Sequence, residues 1–176
     1  MHPPPNPSQL RIRDAHAADM PAIRDLTLEA YGEYAAIMAP AAWAGLYSAV
    51  RRGLSPDVVA ERIVAERDGM IVGSVMLYPE GSDAYGGATP PLEWPEVRLL
   101  AVSPAARGQG IGAALMEECI RRARSAGASR IGLHTSKSMT AAMELYRKMG
   151  FKRFPQKDFH PLSGETVEAH VLELAG

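Results

Sequence analysis

Cysteine occurs once in the 176 residues, at Cys119. A single thiol excludes a disulfide framework within the chain and any cysteine-rich zinc site. Charge of one sign is also missing: 19 basic residues face 20 acidic ones, a formal charge of −1. With no basic excess to displace counterions from a phosphate backbone, no nucleic-acid partner is expected. No apolar run approaches the ~18 residues of a membrane span, so no membrane partner is expected either. The first seven residues, Met-His-Pro-Pro-Pro-Asn-Pro, lack the basic start and apolar stretch of a signal peptide, and the expected location is the cytoplasm. His2, His16, His160 and His170 are scattered without metal-ligand spacing, so no metal is expected.

What is present is an ordinary globular balance, 47% apolar and 22% charged residues. The length fits one domain at roughly 100–200 residues per domain. A chain of this size buries about 70% of its unfolded surface and needs no disulfide or metal staple. The 16 glycines and 14 prolines matter by where they fall. Four prolines lie in residues 1–8, which read as a disordered or extended leader; residues 9–176 read as the folded domain.

Leu10-Arg11-Ile12-Arg13 alternates like a strand. Asp19 precedes apolar residues at Ile23, Leu26 and Ala30 with Pro21 in the first turn, an N-cap and an amphipathic helix. Residues 40–52 predict a second helix. Arg62–Arg67 and Met70–Tyr78 flank Asp68-Gly69, a hairpin signal. Residues 79–95 are rich in glycine and proline, a long loop of the kind that carries function. Glu96–Val102 predicts a strand, 110–126 a helix, Ser129–Thr135 a strand and 138–149 a helix. Phe151–Phe154 and Thr166–Leu174 predict two further strands. The strand 96–102, helix 110–126 and strand 129–135 form one βαβ unit, so those two strands should be parallel. The expected fold is α/β (α+β): a mixed, mostly antiparallel sheet with helices on both faces.

The most informative stretch is Glu96-Val97-Arg98-Leu99-Leu100-Ala101-Val102-Ser103-Pro104-Ala105-Ala106-Arg107-Gly108-Gln109-Gly110-Ile111-Gly112-Ala113. A strand and a short turn lead into three alternating glycines that open a helix. Bare backbone N–H groups and the helix N-terminus together make an anion cradle suited to a phosphate or pyrophosphate. Gly108-x-Gly110-x-x-Ala113 fits a dinucleotide fingerprint, but no Asp or Glu lies between Glu118 and Glu144 to bind the ribose. The Gly-Lys-Ser/Thr of a nucleotide P-loop is missing. Glycines serving only a tight turn are the remaining structural alternative.

Arg107-Gly108-Gln109-Gly110-Ile111-Gly112 resembles the R/Q-x-x-G-x-G/A motif of the GNAT (GCN5-related N-acetyltransferase) superfamily, and so does the strand before it. Downstream, Ala142-Met143-Glu144-Leu145-Tyr146-Arg147-Lys148-Met149-Gly150-Phe151 resembles the family helix that ends in Leu-Tyr-x-x-x-Gly-Phe. The two motifs stand about 40 residues apart, in the right order around the βαβ unit. The resemblance is sharp over 96–154, and the element order extends it over 9–174.

The resemblance implies a GNAT-like fold whose central parallel strands splay apart, and acetyl transfer from acetyl-CoA, as co-substrate, to a primary amine by direct attack. It places the pantetheine arm along Leu100, Ala101 and Val102. The Val102 N–H then polarises the thioester carbonyl. The pyrophosphate falls to Arg107, Gly108, Gln109, Gly110, Ile111, Gly112 and Ala113. Tyr146 matches the family tyrosine near the thioester sulfur, a general acid for the departing thiolate. For the base, Glu96 and His134 are rivals, with Glu93 or water alone as further alternatives. Where many relatives carry an asparagine seven residues before the tyrosine, this chain has Met139, flanked by Ser138 and Thr140.

The family builds its acceptor site from the first two helices and the loop before the motif strand. Here those segments hold Tyr31, Tyr34, Met38 and Trp43, then Asp83, Tyr85, Glu93 and Trp94. That mixture suits a small-molecule or peptide amine with an apolar body, and Trp43 is expected in the core. Cys119, mid-helix on the apolar stripe, is expected to be a packed small hydrophobe. The alternative function is an acyl-CoA-binding module without turnover. Dimers are common in the family.

Overall fold

A computed structural model describes residues 9–162 and 164–174. The expected leader, residues 1–8, lies outside the described residues. The strands are β1 (Arg11–Asp14), β2 (Glu61–Arg67), β3 (Met70–Tyr78), β4 (Glu96–Val102), β5 (Arg130–Thr135), β6 (Lys152–Arg153) and β7 (Glu168–Glu173). The α-helices are α1 (Met20–Gly32), α2 (Pro40–Gly53), α3 (Ile111–Ser125) and α4 (Thr140–Lys148). The order is the one expected. The last hairpin is smaller than its pattern suggested, since β6 keeps two residues before Pro155 turns the chain away.

One sheet runs β1-β2-β3-β4-β5-β7-β6. Every neighbouring pair is antiparallel except β4 and β5. That parallel pair meets at two positions only, Glu96 opposite Gly132 and Val97 opposite Leu133. From Arg98 onward β4 has no partner on its β5 side, so the sheet opens into the expected splay. The cause lies in β4 itself. Leu99 adopts φ 53, a left-handed conformation rare for a branched residue. The β3–β4 register slips there by one residue.

The bulge also turns β4 over. Val97 faces the core under α3, with Ile63, Val75, Leu77, Leu115, Met116, Ile131 and Leu133. Leu99 would share that face in a regular strand. It lies instead in the core under α1 and α2, with Ile23, Val50, Leu54, Val64, Met76 and Tyr78. Leu100 returns to the α3 side. Each sheet face is therefore closed by its own helices, and the strand that divides them is bent where the sheet opens.

Helix α3 shows why the sequence folds this way. Ile111, Leu115, Met116, Cys119, Ile120 and Ala123 are buried, a stripe at helical spacing. Cys119 is fully buried, and burial pushes its thiol up to about 12, so it packs as an inert small side chain as expected. Trp43 departs from expectation. It is half-buried, packs on Tyr47 at 5.5 Å, and belongs to neither core.

Candidate active site

The glycine loop is a surface cradle. Gly108 (φ 74) and Gly110 (φ 77) are both left-handed, a conformation that L side chains rarely adopt. A Cβ at either would meet nothing within 4 Å, so the space in front of the loop is open. The first helical bond of α3 runs from the Ala114 N–H to the Gly110 carbonyl, 3.0 Å. The N–H groups of Ile111, Gly112 and Ala113 precede it and have no intrahelical acceptor. The Ile111 side chain is buried in the core, leaving its backbone to the loop. Gly112 lets α4 pack close, since a Cβ there would lie 3.3 Å from Leu145 Cδ2. These residues fit a diphosphate held by backbone donors.

The side chains beside the cradle are already occupied. Arg107 Nη1 pairs with Glu33 Oε2 at 2.5 Å, at an exposed position. Gln109 accepts from Arg67.

A cavity of about 620 Å³ lies in the splay. Leu99 and Leu100 line it from β4, Tyr31, Tyr34 and Met38 from the α1–α2 region, Tyr85 from the long loop, Met139 from the turn before α4, and Tyr146 from α4. Phe159, Leu162 and Glu165 close it from the segment between β6 and β7. That segment reaches across to α2, where a Cβ on Gly164 would overlap Ala42. Residues 107–113 do not line the cavity, so the cradle is separate from it.

Tyr146 is placed by the end of its helix. The helix stops in a Schellman turn: Gly150 is left-handed (φ 93), and the Phe151 N–H reaches back to the Tyr146 carbonyl at 3.0 Å. The ring of Phe151 packs against that of Tyr146, centroids 6.0 Å apart. The Tyr-x-x-x-Gly-Phe pattern is therefore a helix cap that fixes the tyrosine against the cavity. Burial raises the Tyr146 pKa strongly, and neighbouring Tyr31 and Tyr34 add to it. The phenol therefore holds its proton in the resting site.

Glu96 and His134, the rival bases, touch. The Nδ1 atom of His134 meets Glu96 Oε1, and its Nε2 lies 2.8 Å from the Lys157 carbonyl. A carbonyl only accepts, so Nε2 carries a proton, and a second proton lies between Nδ1 and the carboxylate. Burial works against charging His134, but Glu96 and the Lys157 carbonyl outweigh it, so the imidazole titrates above its usual 6.5. Glu96 is 1% exposed, although it opens its strand. It sits behind His134, and only His134 lines the cavity. Glu96 Oε2 is buried without a partner.

Aromatic rings hold His134 in place. Tyr85 meets it edge-on at 4.8 Å and Phe159 lies at 5.3 Å. Asp83 orders the loop that delivers Tyr85, accepting from the N–H groups of Tyr85 and Gly87 at 3.2 and 3.0 Å. Phe159 carried no signal in the sequence. It reaches the site through a bridge to Val167 across a turn. Glu93 pairs with Lys157 at 3.1 Å, and Trp94 meets Phe154 edge-on at 5.4 Å; neither lines the cavity. Beside Met139, Ser138 donates to Glu165 and is not free to replace the family asparagine.

Among the described residues no cluster of His, Cys, Asp or Glu could hold a metal ion. No described helix is long and apolar enough to cross a membrane.

Comparison with known proteins gives the family and the fold. Residues 21–151 match the model of the "Acetyltransferase (GNAT) family". The chain is 39% identical over 93 residues to a mycothiol acetyltransferase of Cellulomonas flavigena, covering 52% of this chain and 26% of that protein. It is 36% identical over 111 residues to human N-acetyltransferase 8B, covering 62% of this chain and 45% of that protein. The matched part therefore spans less than half of either relative. An N-acetyltransferase structure from Staphylococcus aureus Mu50 superposes with TM-score 0.66 at 20% identity, covering 96% of this chain and all of that one (100%). A GNAT family acetyltransferase of Brucella melitensis in complex with acetyl-CoA superposes with TM-score 0.59 at 23% identity, covering 96% and 90%. These structural likenesses concern the fold.

Proposed function

The chain belongs to the acetyltransferase (GNAT) family, and from that premise we propose that residues 9–176 act as one domain that transfers acetyl from acetyl-CoA to a primary amine. The observations that carry this reading are a backbone anion cradle at the start of α3 and a cavity in the splay bearing a protonated phenol and a buried imidazole–carboxylate pair. The proposed setting is the cytoplasm.

Acetyl-CoA supplies an activated acetyl group as a thioester. The N–H groups of Gly108 to Ala113 bind its diphosphate, and the open edge of β4 at Leu100, Ala101 and Val102 holds the pantetheine arm. The Val102 N–H donates to the thioester oxygen as negative charge gathers there. The side chain of Ala101 is buried against α1, so this residue contributes backbone alone. The acceptor arrives as an ammonium and gives one proton to the Glu96–His134 pair. His134, the member on the cavity wall, takes it at Nε2 once that nitrogen has left the Lys157 carbonyl and lost its own proton to solvent, while the other proton stays between Nδ1 and Glu96. The free amine then attacks the carbonyl carbon. A C–N bond forms, the C–S bond breaks, and Tyr146 hands its proton to the leaving sulfur. The proton still on the acetylated nitrogen returns the phenol to its neutral form through solvent.

The test is thiol release from acetyl-CoA against a panel of amines, with the product identified by mass. Saturable, amine-dependent release with one acetyl gained by the amine is expected. Tight CoA binding without release for any amine would establish the alternative, a binding module.

A further inference from the structure

The cavity holds a cation that the transfer chemistry does not use. Arg98 lies on β4 between Glu96 and the bulge, and its side chain lines the cavity. Its Nη1 donates to the Ala84 carbonyl, and its guanidinium lies over the Tyr85 ring at 4.3 Å. Among the described residues no carboxylate comes within 4.0 Å of it: every other ion pair in this region uses a different cation. Glu96, two residues earlier on the strand, is committed to His134. Arg52 lines the same cavity and bonds Ser48 at 3.0 Å. The one carboxylate in the lining, Glu165, accepts from Ser138. The remaining wall is mostly aromatic and aliphatic.

A half-buried guanidinium over a tyrosine ring, on a cavity wall and with no counter-charge, is costly unless an anion comes to it. Its planar fork matches a carboxylate. Arg98 lines the cavity together with His134, and its charge acts on that imidazole. An acceptor that gives its ammonium proton to His134 can therefore turn a carboxylate on the adjoining carbon toward the guanidinium.

We propose that Arg98 is a specificity-determining residue that receives the carboxylate of the acceptor, so that the amines acetylated here are free amino acids with an apolar side chain. This rests on the acetyl-transfer reading. Tyr31, Tyr34, Met38, Leu46 and Phe159 provide the apolar surface for the side chain.

Matched acceptors test it: phenylalanine against phenethylamine, and tryptophan against tryptamine, each with acetyl-CoA and the full chain. The carboxylated member of each pair is expected to have a kcat/KM higher by about 30-fold or more. In Arg98→Met that ratio falls to within about threefold of unity, and Arg98→Lys keeps an intermediate ratio because charge survives while the fork is lost. CoA affinity by calorimetry reports whether each variant is folded. If Arg98→Met does not fold, phenylalaninamide decides in the unaltered protein, since it keeps the shape and loses the charge; it should react like phenethylamine. Equal or better turnover of the amines lacking a carboxylate overturns the anchor and keeps the transfer reading. So do Arg98 variants that slow both members of a pair alike. Amino acids that bind the CoA-loaded protein in preference to their partner amines, without thiol release, overturn the transfer reading and keep the anchor. No binding and no release for any pair overturns the anchor.

Discussion

The two ends of the site are built from different materials. The cradle is backbone: left-handed Gly108 and Gly110 and the first N–H groups of α3, all within six consecutive residues. The cavity end is side chain: Tyr85, Arg98, His134 and Phe159 come from four separate segments and meet only in the folded protein. Backbone donors at a helix start recognise an anion whatever the remainder of the ligand is. In the proposed reading these side chains set which amine fits, and Tyr85 and Phe159 come from loops, which tolerate change. One end is therefore general and the other particular, and variants should separate them.

The largest separation should come from Tyr146→Phe. It leaves the cradle intact and removes the proton donor, so kcat should fall by about 10²–10³-fold. The KM for acetyl-CoA should change little. Stopped assays at saturating amine would check this, and a KM effect as large as the kcat effect would make Tyr146 a cofactor-binding residue.

Glu96→Gln should lower kcat by about 10- to 100-fold, because it removes the charge that keeps the proton on Nδ1. It should also move the pH profile. His134 titrates above 6.5 in the unaltered protein, and below that pKa it already holds both protons and cannot accept another. The rate should therefore rise with pH through a limb above 6.5. Without the carboxylate, burial and the Arg98 charge still disfavour the imidazolium, so the limb should move to lower pH. An unmoved limb would assign it to the amine alone.

The smallest effect should appear at the cradle. Glu33→Gln releases Arg107 from its exposed pair, and CoA should bind about two- to threefold more tightly, since exposed pairs are worth little. A far larger gain would show that the Arg107 side chain, rather than the backbone, carries the diphosphate.

The same contrast explains what could be read from the sequence. Gly108, Gly110 and Gly150 mark left-handed positions that only their own neighbours impose, so the cradle and the cap that fixes Tyr146 are visible at short range. Periodicity placed the helices and strands for the same reason. The bulge at Leu99 left no trace, because a leucine forced to φ 53 looks like any strand residue. Glu96 and His134 were each legible as candidates, but their contact spans 38 positions and comes from the parallel pairing of β4 with β5. Phe159 and Glu165 were invisible, since the segment that brings them is defined by one bridge and by the approach of Gly164 to Ala42.

Calorimetric titration of CoA into Gly110→Asp and Glu96→Gln tests the division between backbone and side chain most directly. The aspartate meets a left-handed backbone that costs a side chain about 1–2 kcal/mol, and it sets a carboxylate against the diphosphate. Gly110→Asp should weaken CoA by at least about 100-fold, while Glu96→Gln stays within about threefold of the unaltered protein. Unchanged affinity in Gly110→Asp, or an equal loss in Glu96→Gln, would contradict a cofactor site made of backbone and separate from the acceptor cavity.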